Sequence, residues 1–314
     1  EILPGVKLTF RDAGHILGSS IVELLLTEGG ESRKLVFSGD LGHSGAPILR
    51  DPEIVHEADL VVMESTYGDR QHRQWQETWE EMGSVLSGAH AKKGNVLIPA
   101  FTVGRTQELL YVFNRYFDDW NLGDWQIYVD SPMAIKATNV YKKHGNLYDK
   151  NARELAHQGA VFELPNLYFS QSAEESMEIN GVTKGAIIIA GSGMCTGGRI
   201  KHHLKYNVSK KGSHILIVGF QARGTLGRAL VDGAELIRLF GEERKVEATV
   251  HTIGGLSAHA DQQGLLDWYS SFRDRPPLYL VHGEEEALLT LKNEADERFS
   301  FKAKIAEFKQ RVDL

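Results

Sequence analysis

Short apolar runs, each closed by glycine or a polar residue, set the limits on what this chain can become. VKLTF, IVELLL, KLVFSGD, VVMEST, NVLIPAF, QIYVDSP, AIIIAGSG, HILIVGF and YLVHG recur along its 314 residues. Runs of about four to eight residues bounded by turn signals read as strands. The longest fall far short of the ~20 apolar residues that span a bilayer, so no membrane is expected.

Three blocks emerge. Residues 1–70 read as strands with tight turns, and EGGES reads as the turn of a hairpin. Residues 71–245 alternate. A Trp-bearing helix from about Gln71 is followed by NVLIPAF (strand), GRTQELLYVFNRYF (helix), DWQIYVDSP (strand) and a helix from Ala134. AVFEL and GAIIIAGSG then read as strands, followed by a helix from Arg199, HILIVGF and a helix from Leu226. Strands alternating with helices predict βαβ units around a mainly parallel sheet. Residues 246–314 return to strand, loop and helix: KVEATVHTI, LSAHAD, QQGLLDWYSSF, PLYLVHGE and a last helix from Glu285. The middle block reads as an α/β domain inserted into another whose halves are the outer blocks.

Five apolar runs or their following loops end at a titratable side chain: His15 in AGHILGSS, Asp40 in VFSGDLG, Glu64 in VVMESTYG, His259 in LSAHAD and His282 in YLVHGEEE. Buried strands hold such loops still, and the loops carry chemistry. Histidine nitrogen and carboxylate oxygen are zinc donors, so His15, Asp40 and His282 are candidate ligands. A carboxylate beside an imidazole fixes its tautomer and helps it hold a proton. Glu64 and His259 are therefore an acid–base candidate pair, His259 able to protonate a leaving alkoxide. Each residue has a plainer alternative. A single histidine at a strand end is commonly structural, GD is a turn signal, Glu64 can cap the next turn, and His259 can serve a loop hydrogen bond. Asp261 is placed to cap the helix after it.

The formal net charge of −7 argues against a broad non-specific nucleic-acid surface but allows a narrow phosphate-binding cleft. The single cysteine, Cys195, excludes an internal disulfide and a cysteine-based zinc site. With no secretory leader at the start, this predicts a cytoplasmic protein. Glu1 in place of Met reads as an excised or processed piece of a longer chain.

AGHILGSS, FSGDLG, ESTYGDR, PAFTVGRTQELL, GSGMCTGGRIKHHL, GFQARGTLGR, SAHAD and VHGEEE, in that order, resemble the signatures of the β-CASP branch of metallo-β-lactamase-fold RNA nucleases. The resemblance covers essentially the whole chain. It implies an αββα metallo-β-lactamase sandwich, N-terminally incomplete, with an inserted β-CASP α/β domain. It also implies two zinc ions, with Asp40 bridging them and His15 and His282 binding one each. His259 would be the general acid, oriented by Glu64. In this family a histidine at the position of His282 accompanies RNA-directed members. The family's His-x-His-x-Asp-His motif does not precede His15, and three ligands cannot fill two zinc sites. The chain as it stands is therefore expected to be metal-poor and hydrolytically inactive.

GSGMCTGG precedes a helix bearing Arg199, Lys201, His202, His203 and Lys205. Glycine-rich turns at helix N-termini favour anions. Together with the resemblance, this marks Ser192, Gly193 and Met194 as a phosphate site. Arg105 and Arg223 are further phosphate candidates, Arg105 with a salt bridge to a buried acid as an equal alternative. Trp75, Trp79, Tyr111, Phe113 and Tyr116, at helical spacings, read as packing faces, and Cys195 as a small buried residue. The expected function is zinc-dependent hydrolysis of single-stranded RNA, in processing or decay, with a homodimer as a possible assembly. The alternative is a non-catalytic RNA-binding or scaffold member of the same fold.

Overall fold

The computed structural model describes residues 1–91, 94–159 and 161–312. The chain divides into two compact units, one made of Glu1–His72 with Ser257–Leu314, the other of Arg73–Leu256. No helix among the described residues is long and apolar enough to cross a membrane.

In the first unit, one six-stranded sheet runs in the order Val6–Asp12, Ser20–Glu28, Glu31–Phe37, Leu60–Met63, Leu278–Leu280, Lys304–Ile305. The first three strands pair antiparallel, and the last three join in parallel. The EGGES turn is a hairpin, with Gly29 and Gly30 both at positive φ. Two antiparallel pairings in succession point Val6–Asp12 the same way as Glu31–Phe37. The loops after Asp12, Phe37, Met63 and Leu280 therefore all leave one edge of the sheet. Of the expected sandwich, this unit builds one layer and the helices Gln262–Ser270 and Glu285–Phe299. They bury Leu265, Leu266, Trp268, Tyr269, Leu291 and Ala295 in one core with Ile21, Val36, Val61 and Met63. Each large apolar side chain so buried contributes ~1.5–3 kcal/mol.

The second unit is built on a wholly parallel six-stranded sheet. Its order is Thr249–Thr252, His214–Ile217, Val96–Pro99, Ala186–Ala190, Gln126–Val129, Leu167–Phe169. The three central strands are buried at every position, as expected where helices cover both faces. Leu236–Leu239 and Glu242–Lys245 form a separate hairpin. Two expectations change here. The strand Thr249–Thr252, expected in the returning block from 246, pairs with His214–Ile217 and belongs to this unit. The described part of AVFEL, residues 161–164, is not a strand. Val161 and Phe162 lie in a turn, and the edge strand is Leu167–Phe169, while Ala160 lies outside the described residues. Val161, Phe162 and Leu164 are buried all the same, so apolar content reported burial but not extended backbone.

The crossover from Val96–Pro99 leads to Gln126–Val129 on one side; that from Ala186–Ala190 leads to His214–Ile217 on the other. These neighbouring strands mark the topological switch point, where the crevice beyond the strands' carboxyl ends receives ligands in open α/β sheets.

Candidate metal centre and phosphate loop

The shared edge of the first unit brings His15, Asp40, Glu64 and His282 together. His259 joins them because the strand-like bridges Gly42 to His259 and Tyr67 to Asp261 draw its loop in, with Ala260 N donating to Leu41 O at 2.7 Å. The approach is close. A Cβ on Gly42 would stand 2.0 Å from the Gly14 carbonyl oxygen.

Asp40 lies between two imidazoles, its Oδ2 3.9 Å from His15 Nε2 and its Oδ1 3.4 Å from His282 Nδ1. Its donor atoms also fall within 4.8 Å of those of His259 on one side and Glu64 on the other. The donors match what zinc takes. One carboxylate oxygen faces each histidine. These three donors are fewer than the four that a zinc ion holds. His282 holds φ +54°, a left-handed backbone uncommon outside glycine. Such conformations persist where the surroundings over-determine them, often at functional sites.

Glu64 is 1% exposed. Its Oε1 accepts from Leu41 N at 2.6 Å and its Oε2 from the Thr66 hydroxyl at 2.6 Å. His259 Nδ1 lies 3.1 and 3.0 Å from the two oxygens. Burial pushes the His259 pKa down, but the Glu64 hydrogen bond and charge, with Asp40, outweigh it and raise it. His15 moves the other way, lowered by burial and by neighbouring His259, with Asp40 opposing. The rings of His15 and His259 lie 4.3 Å apart, so one imidazole is biased towards the proton and its neighbour towards the bare nitrogen that a metal ligand needs.

Sequence reasoning missed Thr66. Its hydroxyl bonds Glu64 and sits 3.2 Å from His282 Nδ1, tying the buried acid to the half-exposed imidazole. The signal was its place two residues after Glu64. His72 is partly buried, and its Nε2 lies 3.1 Å from the His259 carbonyl. Asp261 caps the helix after it, Oδ1 accepting from Gly264 N at 2.8 Å, while Oδ2 accepts from His72 N at 2.9 Å.

In the second unit, Ser192, Gly193 and Met194 lie in the loop beyond Ala186–Ala190, at the switch point. The Ser192 hydroxyl accepts from Gly197 N at 3.2 Å. Gln221, 6% exposed, donates to the Gly193 carbonyl at 2.9 Å and to that of Gly219 at 3.1 Å. Among the described residues, no hydrogen bond engages the amides of Gly193 and Met194. Arg223 is exposed. Arg105 is not: it is 8% exposed, and its guanidinium bonds Glu108 and the Leu256 carbonyl. The structure places it on the salt-bridge alternative, with its charge consumed inside the unit.

The basic helix is also less available than its composition suggests. Asp130, fully buried, accepts from Arg199 Nη1 at 2.6 Å and from Ser176 Oγ at 2.6 Å, with His203 Nε2 also at 2.6 Å. Burial pushes its carboxyl up, but the bonds from His203, Ser176, Ser170 and Arg199 prevail and hold it at about 2. Lys201 and Lys205 lie over the Phe240 ring at 5.2 and 6.0 Å. Trp79, Tyr111 and Phe113 are buried, Trp75 stacks on Trp79, and Tyr116 stacks on Trp120, so these aromatics pack the unit. Cys195 is buried, its thiol pushed up to about 12 by burial.

Residues 106–230 match the Beta-Casp domain, and residues 243–306 match the Zn-dependent metallo-hydrolase RNA specificity domain. The chain belongs to the β-CASP family of the metallo-β-lactamase fold. Among similar proteins, Ribonuclease TTHA0252 of Thermus thermophilus is 40% identical over 290 residues, 92% of this chain and 65% of that protein. Transcription termination factor FttA of Thermococcus kodakarensis is 33% identical over 311 residues, 95% of this chain and 47% of that protein. FttA of Pyrococcus horikoshii is 32% identical over 310 residues, again 95% and 47%. The chain thus spans between about half and two thirds of the length of these curated relatives.

Proposed function

We propose that this chain carries part of the zinc centre and the general acid of a ribonuclease that hydrolyses phosphodiester bonds of single-stranded RNA. The observation that carries the reading is Asp40 set between His15 and His282, with His259 held on Glu64 beside them. When bound, zinc supplies a nucleophilic water at neutral pH and stabilises charge on the phosphoryl oxygens. The protein's own part is separable. Asp40 would bridge the ions, and His15 and His282 would each bind one. Glu64, anchored by Leu41 N and Thr66, holds one ring nitrogen of His259, leaving the other to protonate the departing oxygen. The Ser192–Met194 loop would hold the RNA backbone through its amides, with Arg223 adding charge, positioning RNA without reading its sequence.

The donor count extends the proposal: with three ligands, the chain by itself holds fewer than two zinc ions and does not cut. Zinc by mass spectrometry and cleavage of single-stranded RNA, measured together, test this. Two zinc ions on this chain would sink the inactivity proposal. In a form with a complete ligand set, His282→Ala is expected to lose metal. His259→Ala is expected to keep it and slow cleavage by ~10²–10⁴-fold. Normal cleavage by His259→Ala removes the acid assignment. The alternative is a non-catalytic RNA-binding member of the same fold, which the five intact motif residues disfavour; RNA binding with neither zinc nor cleavage in a form with a complete ligand set would select it.

A further inference from the structure

Two exposed phenylalanines stand at the switch point of the parallel sheet. Phe101 follows the strand Val96–Pro99 and is 44% exposed; Phe220 follows His214–Ile217 and is 49% exposed. The Phe101 ring lies against two glycines. A Cβ on Gly193 would stand 2.9 Å from it, and one on Gly219 3.9 Å. Gln221 ties the same two glycines together through their carbonyls. One side of the Phe101 ring is therefore seated on a fixed floor formed by the phosphate loop and its neighbour, and the ring keeps much of its surface in solvent. Phe220 leaves directly from that floor.

Two other exposed aromatics of this unit have partners: Phe240 lies under Lys201 and Lys205, and Tyr168 stacks on Tyr128; Phe169 and Tyr206 are exposed too, but neither adjoins the Ser192–Met194 loop in sequence. Among the described residues, Phe101 and Phe220 have neither an aromatic nor a cationic partner. Leaving about half of a phenylalanine in water forgoes on the order of 1 kcal/mol of burial, and here two such rings adjoin a loop with unengaged amides. Aromatic faces beside a backbone-binding groove are the arrangement that holds single strands, because every base has a π-face.

We propose that Phe101 and Phe220 stack bases of the single-stranded RNA whose phosphate meets the Ser192–Met194 loop. The proposal rests on the phosphate-loop part of the function reading and adds a sequence-tolerant base subsite to it. The test is binding of the whole chain to a single-stranded RNA oligonucleotide carrying 2-aminopurine, whose fluorescence falls on stacking. Phe101→Leu is expected to weaken binding about tenfold and to remove the quenching, whereas Phe101→Tyr keeps both. The slope of affinity against salt should not change, since no phosphate contact is lost. Phe220→Leu, at a ring outside the Gly193–Gly219 floor, is expected to act in the same direction and guards against a disturbed loop around Phe101. Unsubstituted-level binding and quenching in both leucine variants overturns the stacking alone. Failure of the unsubstituted chain to bind RNA overturns the stacking and the phosphate loop together.

Discussion

The two units place charged side chains at the carboxyl ends of their strands in opposite ways. In the first, Asp40 is 42% exposed at its side chain and faces His15 and His282 across 3.9 and 3.4 Å, longer than hydrogen bonds. In the second, Asp130 is fully buried and takes contacts of 2.6 Å from Arg199, His203 and Ser176. One carboxylate is held in place with its valence open; the other is saturated by its own unit. A carboxylate with an open valence is suited to a metal ion, and one closed by ion pairs to holding in register the loops whose backbone amides remain open.

The comparison breaks most easily at Asp130. Asp130→Asn leaves Arg199 and His203 beside a neutral amide, and losing one partner of a buried pair costs ~3–5 kcal/mol. Urea unfolding should show that loss. It should also show a change with pH. The Asp130 carboxyl falls from 3.8 to about 2 on folding, so its contribution is complete above pH ~4 and lost as pH falls through about 2. The variant should lack that part of the acid slope; an unchanged acid profile would mean the network does not stabilise the fold. A middle effect is expected at Asp261, which caps a helix and also binds His72 N. Asp261→Ala should cost ~1–2 kcal/mol in the same assay. The smallest belongs to Asp40. Asp40→Asn is expected to change stability by no more than ~0.5 kcal/mol while abolishing metal uptake in a form with a complete ligand set. A stability loss at Asp40 as large as that at Asp130 would erase the distinction between the two edges.

Much of this was legible in the chain itself. Continuous apolar runs such as AIIIA and HILI became fully buried parallel strands, because a strand covered on both faces needs no polar alternation. The five titratable residues were legible because each closes or follows such a run. Thr66 and Asp130 were not singled out: a threonine in a turn and an aspartate after QIYV look like ordinary loop chemistry until their partners arrive from distant segments. Arg105 and Arg199 show the converse, since a basic residue near a glycine-rich turn reads as available until a buried carboxylate claims it.

Where the strands stop, and therefore which residues stand at their ends, follows from the chain alone, because burial and turn chemistry are local properties. Which of those ends meet was settled by strand pairing. Two antiparallel pairings followed by parallel ones put His15, Asp40, Glu64 and His282 on one edge, and the Gly42–His259 bridge added the acid candidate. Tertiary packing also settled which charges are spent. Whether a side chain keeps an open valence depends on partners tens or hundreds of residues away, such as Asp130 for Arg199 and Glu64 for His259.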